Sequence, residues 1–491
     1  MTGRLMGSRA GFALACAVAL SGCVVKDVPS HLVCGGDATC QPDRLESAIV
    51  AQRCTLSPIG REAVCEPERP SGPVAGGESG VAHVRLAYLE YDQDGHRYDP
   101  HQKTAIVDEI RRVGASGKKL LIVTYVHGWH HNASEASSNA RDFPLLLARY
   151  ADGLRRANLA NTDVFGVYVG WPGEITTAPI LTTLSIGNRA HVSDRVALGD
   201  HPDGAIPSDV IADLHEVADA MRQTNPADRM IVTGHSLGGR LLSRAFLRQL
   251  EHPDPELLGP GVLVVTVNAA IDADAYRSLY APSRTSVGVR RPRWINITSS
   301  DDWATSKIYP TAIWTGLLPR IDRGHRVTRQ TIGHYKPYIT HELGVTDCGA
   351  PDAHGGTSCG PASLLVNLPS SPWTSSDIGD AALTYGPATS QGWPALMHCV
   401  LLNRYPVTDA MKRTIETTVC NGRFKKDFDS GPSTRSMPAY GYLWNVMTDS
   451  SLIDFDKPNF WRASTHNGWI QTDLATMLLQ LAFVPEDEFG D

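Results

Sequence analysis

Among the side chains of this sequence, Ser236 stands in the surroundings best suited to chemistry. It lies in Arg229-Met-Ile-Val-Thr-Gly-His-Ser-Leu-Gly-Gly239, which reads as a short apolar strand, a turn and the start of a helix. A serine hydroxyl is a weak nucleophile and works only when it is exposed, held in one place and paired with a base. A sharp strand-to-helix turn meets the first two needs, and it requires small residues two before and two after the serine so that the backbone can crowd together. Gly234 and Gly238 occupy those places.

The flanking segments agree with that turn. Leu241, Leu242, Ala245, Phe246 and Leu250 recur at helical spacing after it, and the polar stretch Gln223-Thr-Asn-Pro-Ala-Asp228 bounds the strand before it. Further strands are expected at Val84–Tyr91, Lys119–Val126, Val164–Val169, Val262–Val267, Trp294–Thr298 and Tyr442–Met447, and helices at His101–Val113, Ser208–Arg222 and Thr472–Phe483. The continuous apolar runs suit strands buried on both faces, and the alternation with helices predicts an α/β protein with a mostly parallel central sheet flanked by helices. Residues from about 305 to 440, rich in Pro, Ser and Gly, interrupt the rhythm. They read as a large insertion before the last strand, covering an edge or the top of the sheet, or else as a separate domain.

Composition narrows the partners. The chain has 491 residues, is 42% hydrophobic and carries a net charge of −7, which suits a sizeable core and supplies no basic footprint for nucleic acid. No internal run approaches the ~20 apolar residues of a membrane span. The N-terminus has a positive region (Arg4, Arg9) and an apolar stretch from Gly11 to Leu20, as in an export signal. It ends in Leu20-Ser-Gly-Cys23, which resembles the bacterial lipobox. That resemblance implies removal of residues 1–22, a lipid on Cys23 and, with Val24 next, an outer-membrane location. An ordinary secretory signal cut nearby is the alternative.

Of the ten cysteines, Cys16 falls inside the signal and Cys23 at its end, leaving an even set: Cys34, Cys40, Cys54, Cys65, Cys348, Cys359, Cys399 and Cys420. Their local grouping fits disulfides in an oxidising compartment, with Cys348–Cys359 and Cys399–Cys420 as plausible pairs and the first four undetermined. No zinc-ligand spacing accompanies them, and a shared ion at the adjacent His130 and His131 is disfavoured. No metal or cofactor is expected. Residues 23–80 thus read as a disulfide-stapled segment and linker (Pro70–Gly80) ahead of the α/β unit, residues 81–491.

Five motifs carry a resemblance to the α/β-hydrolase superfamily, more narrowly to bacterial lipase-like and esterase-like hydrolases. They are Val126-His-Gly-Trp-His-His-Asn132, Gly170-Trp-Pro-Gly173, Gly234-His-Ser-Leu-Gly-Gly239, Asn268-Ala-Ala-Ile-Asp272 and Thr298-Ser-Ser-Asp-Asp-Trp-Ala-Thr305. The resemblance implies a triad in the chain order serine, acid, histidine, on loops at the C-terminal ends of strands. Ser236 is its nucleophile. Asp302, after the second strand beyond the turn, is the preferred acid, with Asp272 as runner-up. A surface Asp that merely caps a helix is the plain alternative for each. His466, in Ser464-Thr-His-Asn-Gly-Trp-Ile470 before the final helix, is the preferred base, followed by His334 and then His341. The backbone N–H groups of Leu237 and Trp129 would form the oxyanion hole, with Gly128 allowing close approach. His235 is expected to be structural. Trp171, Trp303 and Trp373 either line the substrate pocket or belong to the core.

The expectation is therefore a lipid-anchored, extracytoplasmic serine hydrolase acting on a carboxylic ester, of small molecule or lipid, without a cofactor. The rivals are an amidase or peptidase with the same triad, and a catalytically silent scaffold that binds a component of the cell envelope.

Overall fold

The apolar runs do become strands, and their order in space decides where a site can form. The structure is a computed structural model. It describes residues 28–33, 49–56, 63–68, 81–156, 161–174, 185–199, 207–252, 255–280, 292–316, 328–339, 341–343, 442–448, 466–470 and 472–483, with Leu159, Leu318 and Ile453 as single positions. The strands are β1 (Val50–Leu56), β2 (Ala63–Pro67), β3 (Val81–Glu90), β4 (Lys119–Val126), β5 (Thr162–Gly170), β6 (Arg229–His235), β7 (Val262–Val267), β8 (Trp294–Ser299), β9 (His341–Leu343) and β10 (Leu443–Thr448). The main helices are α1 (Pro100–Ala115), α2 (Ser138–Arg156), α3 (Ile186–Leu198), α4 (Asp209–Thr224), α5 (Leu237–Leu250), α6 (Tyr309–Trp314) and α7 (Thr472–Phe483).

Among the described residues the strands form one ten-stranded sheet in the order β2-β1-β3-β5-β4-β6-β7-β8-β10-β9. Every neighbouring pair from β3 to β9 is parallel, and only β1 pairs antiparallel, with β2 and β3. The protein is α/β, with a mostly parallel sheet flanked by helices.

Alternate residues of each strand face opposite layers. Ile122, Val126, Val167, Met230, Val232 and Val264 pack with Ile106 and Ile110 of α1, Leu214 of α4 and Leu242 and Phe246 of α5. Leu121, Val123, Tyr125, Ile231 and Val265 pack on the other face with Phe143 and Leu147 of α2 and Leu478 of α7. Each such fully buried side chain stabilises the fold by roughly 1.5–3 kcal/mol. The connection leaving β4 therefore runs over one face and that leaving β6 over the other, although β4 and β6 are neighbours. Loops that diverge in this way leave a crevice at the C-terminal ends of the two strands.

Local chemistry sets the element ends. α1 starts where Asp99 accepts the His101 N–H at 2.9 Å and Pro100 opens the helix. Its Ile106, Ile110 and Val113 line the buried stripe.

Several sequence expectations change. Residues 50–67 do not form a unit apart from the α/β body: β1 and β2 extend its sheet through β3, and Cys54–Cys65 joins them across the strand pair. Alternation in β1 was obscured because only Cys54 and Leu56 of its seven residues are buried. The helices α2 and α3 were not anticipated. Within the segment read as an insertion, Ile332 and Ile339 are buried in the body and β9 adds an edge strand beside β10. Residues 1–27, Cys34, Cys40, the linker 70–80, Trp373 and the pairs Cys348–Cys359 and Cys399–Cys420 lie outside the described residues. Among the described residues no helix is long and apolar enough to cross a membrane.

Candidate active site

The register of the sheet brings five loops to one edge. Val126 lies opposite Gly234, His235 opposite Val267, Val267 opposite Ile297 and Met447 opposite Thr298. The loops following β4, β6, β7, β8 and β10 thus start at one level.

Ser236 sits at the tightest of these turns. Its backbone takes φ 54° and ψ −116°, a region that side chains rarely occupy and that costs about 1–3 kcal/mol. The turn is held by backbone bonds: the Ser236 N–H donates to the Val267 carbonyl at 3.0 Å, and its own carbonyl accepts from Arg240 and Ala270, each at 3.0 Å. A Cβ on Gly238 would fall on the Val126 and His127 carbonyls, so only glycine lets α5 start this close to β4. At Gly128 a Cβ would lie 2.9 Å from the Ser236 Cβ, so glycine lets the loop after β4 come this close to Ser236.

That loop is locked to its neighbour after β5. The Trp171 N–H donates to His127 Nε2 at 3.0 Å, so His127 carries its proton on Nδ1 and donates to the Gly128 carbonyl at 2.9 Å. Trp171 Nε1 donates to the His127 carbonyl at 2.9 Å, and the His130 N–H to Gly173 at 3.0 Å. Burial pushes the His127 pKa down to about 4 and keeps it neutral. Trp171 is therefore a core residue beneath the loop rather than a pocket wall.

The structure brings His466 and Asp302 to Ser236. His466 Nε2 is 3.0 Å from Ser236 Oγ, and its Nδ1 is 3.0 Å from each Asp302 oxygen. Burial raises the Asp302 pKa, but His466, the Thr305 hydroxyl and His334 outweigh it and hold the carboxyl below its ordinary value. A carboxylate only accepts, so the imidazole proton sits on Nδ1 and the Nε2 lone pair faces the serine hydroxyl.

Asp302 is fully buried, and it also caps a turn, accepting the Ala304 N–H at 3.0 Å. The capping role and the approach to His466 coexist in one carboxylate.

His466 is placed by packing and by its own carbonyl. Trp469 stacks on Tyr125 of β4 with ring centroids 3.8 Å apart, and Arg149 of α2 donates to the Ile470 carbonyl. The His466 carbonyl accepts from His235 Nε2 at 2.6 Å and from Asn268 Nδ2 at 3.0 Å. Burial drives the His235 pKa down to about 3, so it stays neutral with its proton on Nε2.

A cavity of about 380 Å³ opens beside Ser236, lined on its apolar side by Trp129, Ile186, Leu237, Ala270, Trp303 and Ile308. Trp303, 44% exposed, stands on the segment directly after Asp302. Leu237 opens α5, where the first N–H groups have no intrahelical partner.

Comparison of the chain with protein-family models, curated proteins and solved structures gives no match.

The other candidates lie elsewhere. Asp272, after β7, pairs with Tyr309 near the buried Arg240. His334 Nε2 lies 3.0 Å from Thr305 Oγ1, behind Asp302 rather than in front of Ser236. His341 begins β9 at the sheet edge, opposite Val446. Among the described residues no three potential metal ligands cluster. His131 Nδ1 faces Ser137 Oγ at 3.3 Å, and the His130 ring packs edge-on against Trp129.

Two residues with a part in this geometry were not singled out from the sequence. Asn268 takes φ 47°, which Asn tolerates better than most, and accepts the Ser299 N–H at 3.0 Å while donating to His466. Its sequence signals are its place directly after an apolar strand and at the head of the Asn268–Asp272 motif, neither of which points to a partner. Thr305 donates its hydroxyl to Asp302 Oδ2. Nothing in its local sequence distinguishes it from a helix-start threonine.

Proposed function

We propose that this chain has an α/β-hydrolase fold and is a serine hydrolase that cleaves carboxylic esters. The observation that carries the reading is the pair of contacts on one imidazole: Ser236 Oγ on Nε2 and Asp302 on Nδ1. The strained turn at Ser236 and the order of loops after β6, β8 and β10 support the same reading.

Chemistry follows from the proton positions. Ser236 Oγ attacks the ester carbonyl carbon while its proton passes to His466 Nε2. Asp302 holds the imidazole tautomer and stabilises the imidazolium. The tetrahedral oxyanion is received by the N–H groups of Leu237, at the start of α5, and Trp129, beside Gly128. Collapse breaks the bond to the alkoxy group, which leaves with the proton from Nε2. Water then attacks the acyl-serine while its proton passes to His466 Nε2; the acyl–Oγ bond breaks, that proton returns to Ser236 Oγ, and the acid leaves. The apolar wall from Trp129 to Ile308 supports a small-molecule or lipid ester over a charged substrate.

We place the enzyme outside the cytoplasm, held to the bacterial envelope through a lipid on Cys23, on the strength of the Leu20–Cys23 motif and the Cys54–Cys65 disulfide. Loss of radiolabelled acyl chain from Cys23→Ser, against a labelled wild type, tests this part.

A fluorophosphonate probe tests the hydrolase. Wild-type protein should be labelled on Ser236, and Ser236→Ala should lose both labelling and about 10⁶-fold in ester turnover. Folded wild-type protein that resists the probe would point to a silent scaffold, and faster turnover of anilides than of matched esters to an amidase.

A further inference from the structure

Behind Asp302 lies a second layer of polar contacts that the triad itself does not require. The Thr305 hydroxyl donates to Asp302 Oδ2, so its oxygen is left to accept, and His334 Nε2 stands 3.0 Å from that oxygen. A hydroxyl has one proton, so the imidazole must supply the other, and His334 carries its hydrogen on Nε2. The contacts form one directed chain: His334 Nε2–H to Thr305 Oγ1, Thr305 O–H to Asp302 Oδ2, and His466 Nδ1–H to Asp302 from the opposite side.

This layer is built into the body. Thr305 is buried and lies in the π-turn Ala304–Ile308, a local form that recurs at functional sites. His334 follows Gly333, where a Cβ would strike the Thr298 side chain, so the segment can lie flat on the end of β8. The same segment is fastened from below. Buried Asn445 of β10 donates to the Ile332 and Tyr338 carbonyls, each at 2.9 Å, and accepts from Asn296 of β8 at 2.7 Å. The Ile332 N–H donates to the Ile271 carbonyl at 3.1 Å. These buried bonds leave His334 little freedom to be anywhere else.

We propose that Thr305, backed by His334, is a positioning residue for the triad: it holds the Asp302 carboxylate toward His466 and takes up part of that carboxylate's charge. The proposal rests on the hydrolase reading for its kinetic consequence but not for its electrostatic one. A carboxylate that gives up part of its charge to a hydroxyl donor stabilises an adjacent imidazolium less. The other titratable groups near this line are His131 and His235 on the His466 side and Lys307 beside His334. Burial lowers the pKa values of His131, His235 and His334, so these three stay neutral near pH 7.

The test compares Thr305→Val, Thr305→Ser and His334→Leu with wild type over pH 5–9. It measures kcat/KM on a chromogenic short-chain ester, the rate of fluorophosphonate labelling, and the downfield Nδ1–H proton resonance of His466. Thr305→Val keeps the shape and removes the donor. It should move the acid limb of the profile to higher pH by about half a unit or more and lower kcat about tenfold, consistent with a hydrogen bond to a charged group. Thr305→Ser should restore both, and His334→Leu should move the limb in the same direction by less. A fall in rate with an unmoved limb and an unmoved His466 titration, in Thr305→Val and His334→Leu alike, overturns the proposal. If Thr305→Val does not fold, an unmoved limb in His334→Leu overturns it alone. Failure of wild type to react with the ester or the probe would instead sink the hydrolase reading, and the His466 resonance would still decide whether Thr305 tunes the imidazole.

Discussion

The two halves of the candidate site are held by different means. On the Ser236 side, the loops after β4, β5 and β6 are positioned chiefly by backbone: close approach at Gly128 and Gly238 and main-chain bonds at Ser236, with two further bonds between His127 and Trp171 that each join a side chain to the main chain. On the His466 side, the loops after β8 and β10 meet through side chains: Asp302 with His466, Asn268 and His235 with the His466 carbonyl, Thr305 with Asp302. Backbone crowding leaves no alternative arrangement, so damage there should appear as lost stability. Side-chain bonds can be removed one at a time with the chain path intact, so damage there should appear as lost rate.

That contrast can be broken by experiment. Asp302→Asn should lose about 10⁴-fold in kcat with a modest change in stability, because an amide can turn its NH₂ toward His466 and reverse the tautomer. A loss below about tenfold would remove Asp302 from the triad. On the opposite side, Gly238→Ala should cost about 3 kcal/mol in urea unfolding, because the new methyl meets carbonyls of β4 and its loop that cannot retreat. A Gly238→Ala protein as stable as wild type would erase the distinction between the two halves.

The smallest effect concerns His235, which lies between them. Its folded pKa of about 3 is below the ~6.5 of an unfolded histidine. Between those values the unfolded chain binds the extra proton, so this contribution to stability is complete above ~6.5 and is lost as pH falls toward ~3. His235→Gln keeps an N–H for the His466 carbonyl and removes the titration. Its stability should fall less steeply with acid, by up to about 1.4 kcal/mol per pH unit. An unchanged slope in urea titrations from pH 6.5 to 4.5 would show that His235 is not held neutral.

The contrast also explains which parts were readable in advance. Lys119–Val126 and Val262–Val267 were legible residue for residue, because strands buried on both faces leave continuous apolar runs. Ser236, Gly128 and Gly238 were legible because crowding permits few residue types. By contrast, α2 escaped notice with Pro144 in its interior, and β1 with its sparse buried positions. Asn268 and Thr305 were unreadable as site residues because their partners, His466 and Asp302, stand on other loops. His334 stands second to His466 as a base in the sequence, since a Gly-His after a strand-like stretch says nothing about the side of Asp302 on which it falls.

What the sequence determined by itself was local: which runs are strands, where the chain must turn sharply, and that a serine occupies the sharpest turn. These depend on residue volume, periodicity and backbone freedom within a few positions. What only the tertiary structure decided was which histidine comes within reach of Ser236 and which carboxylate within reach of that histidine. A general base is defined by an atom within about 3 Å of the hydroxyl. In this chain Ser236 and His466 are 230 residues apart, and the distance between them is set by Trp469 against Tyr125 and by bonds to the His466 carbonyl.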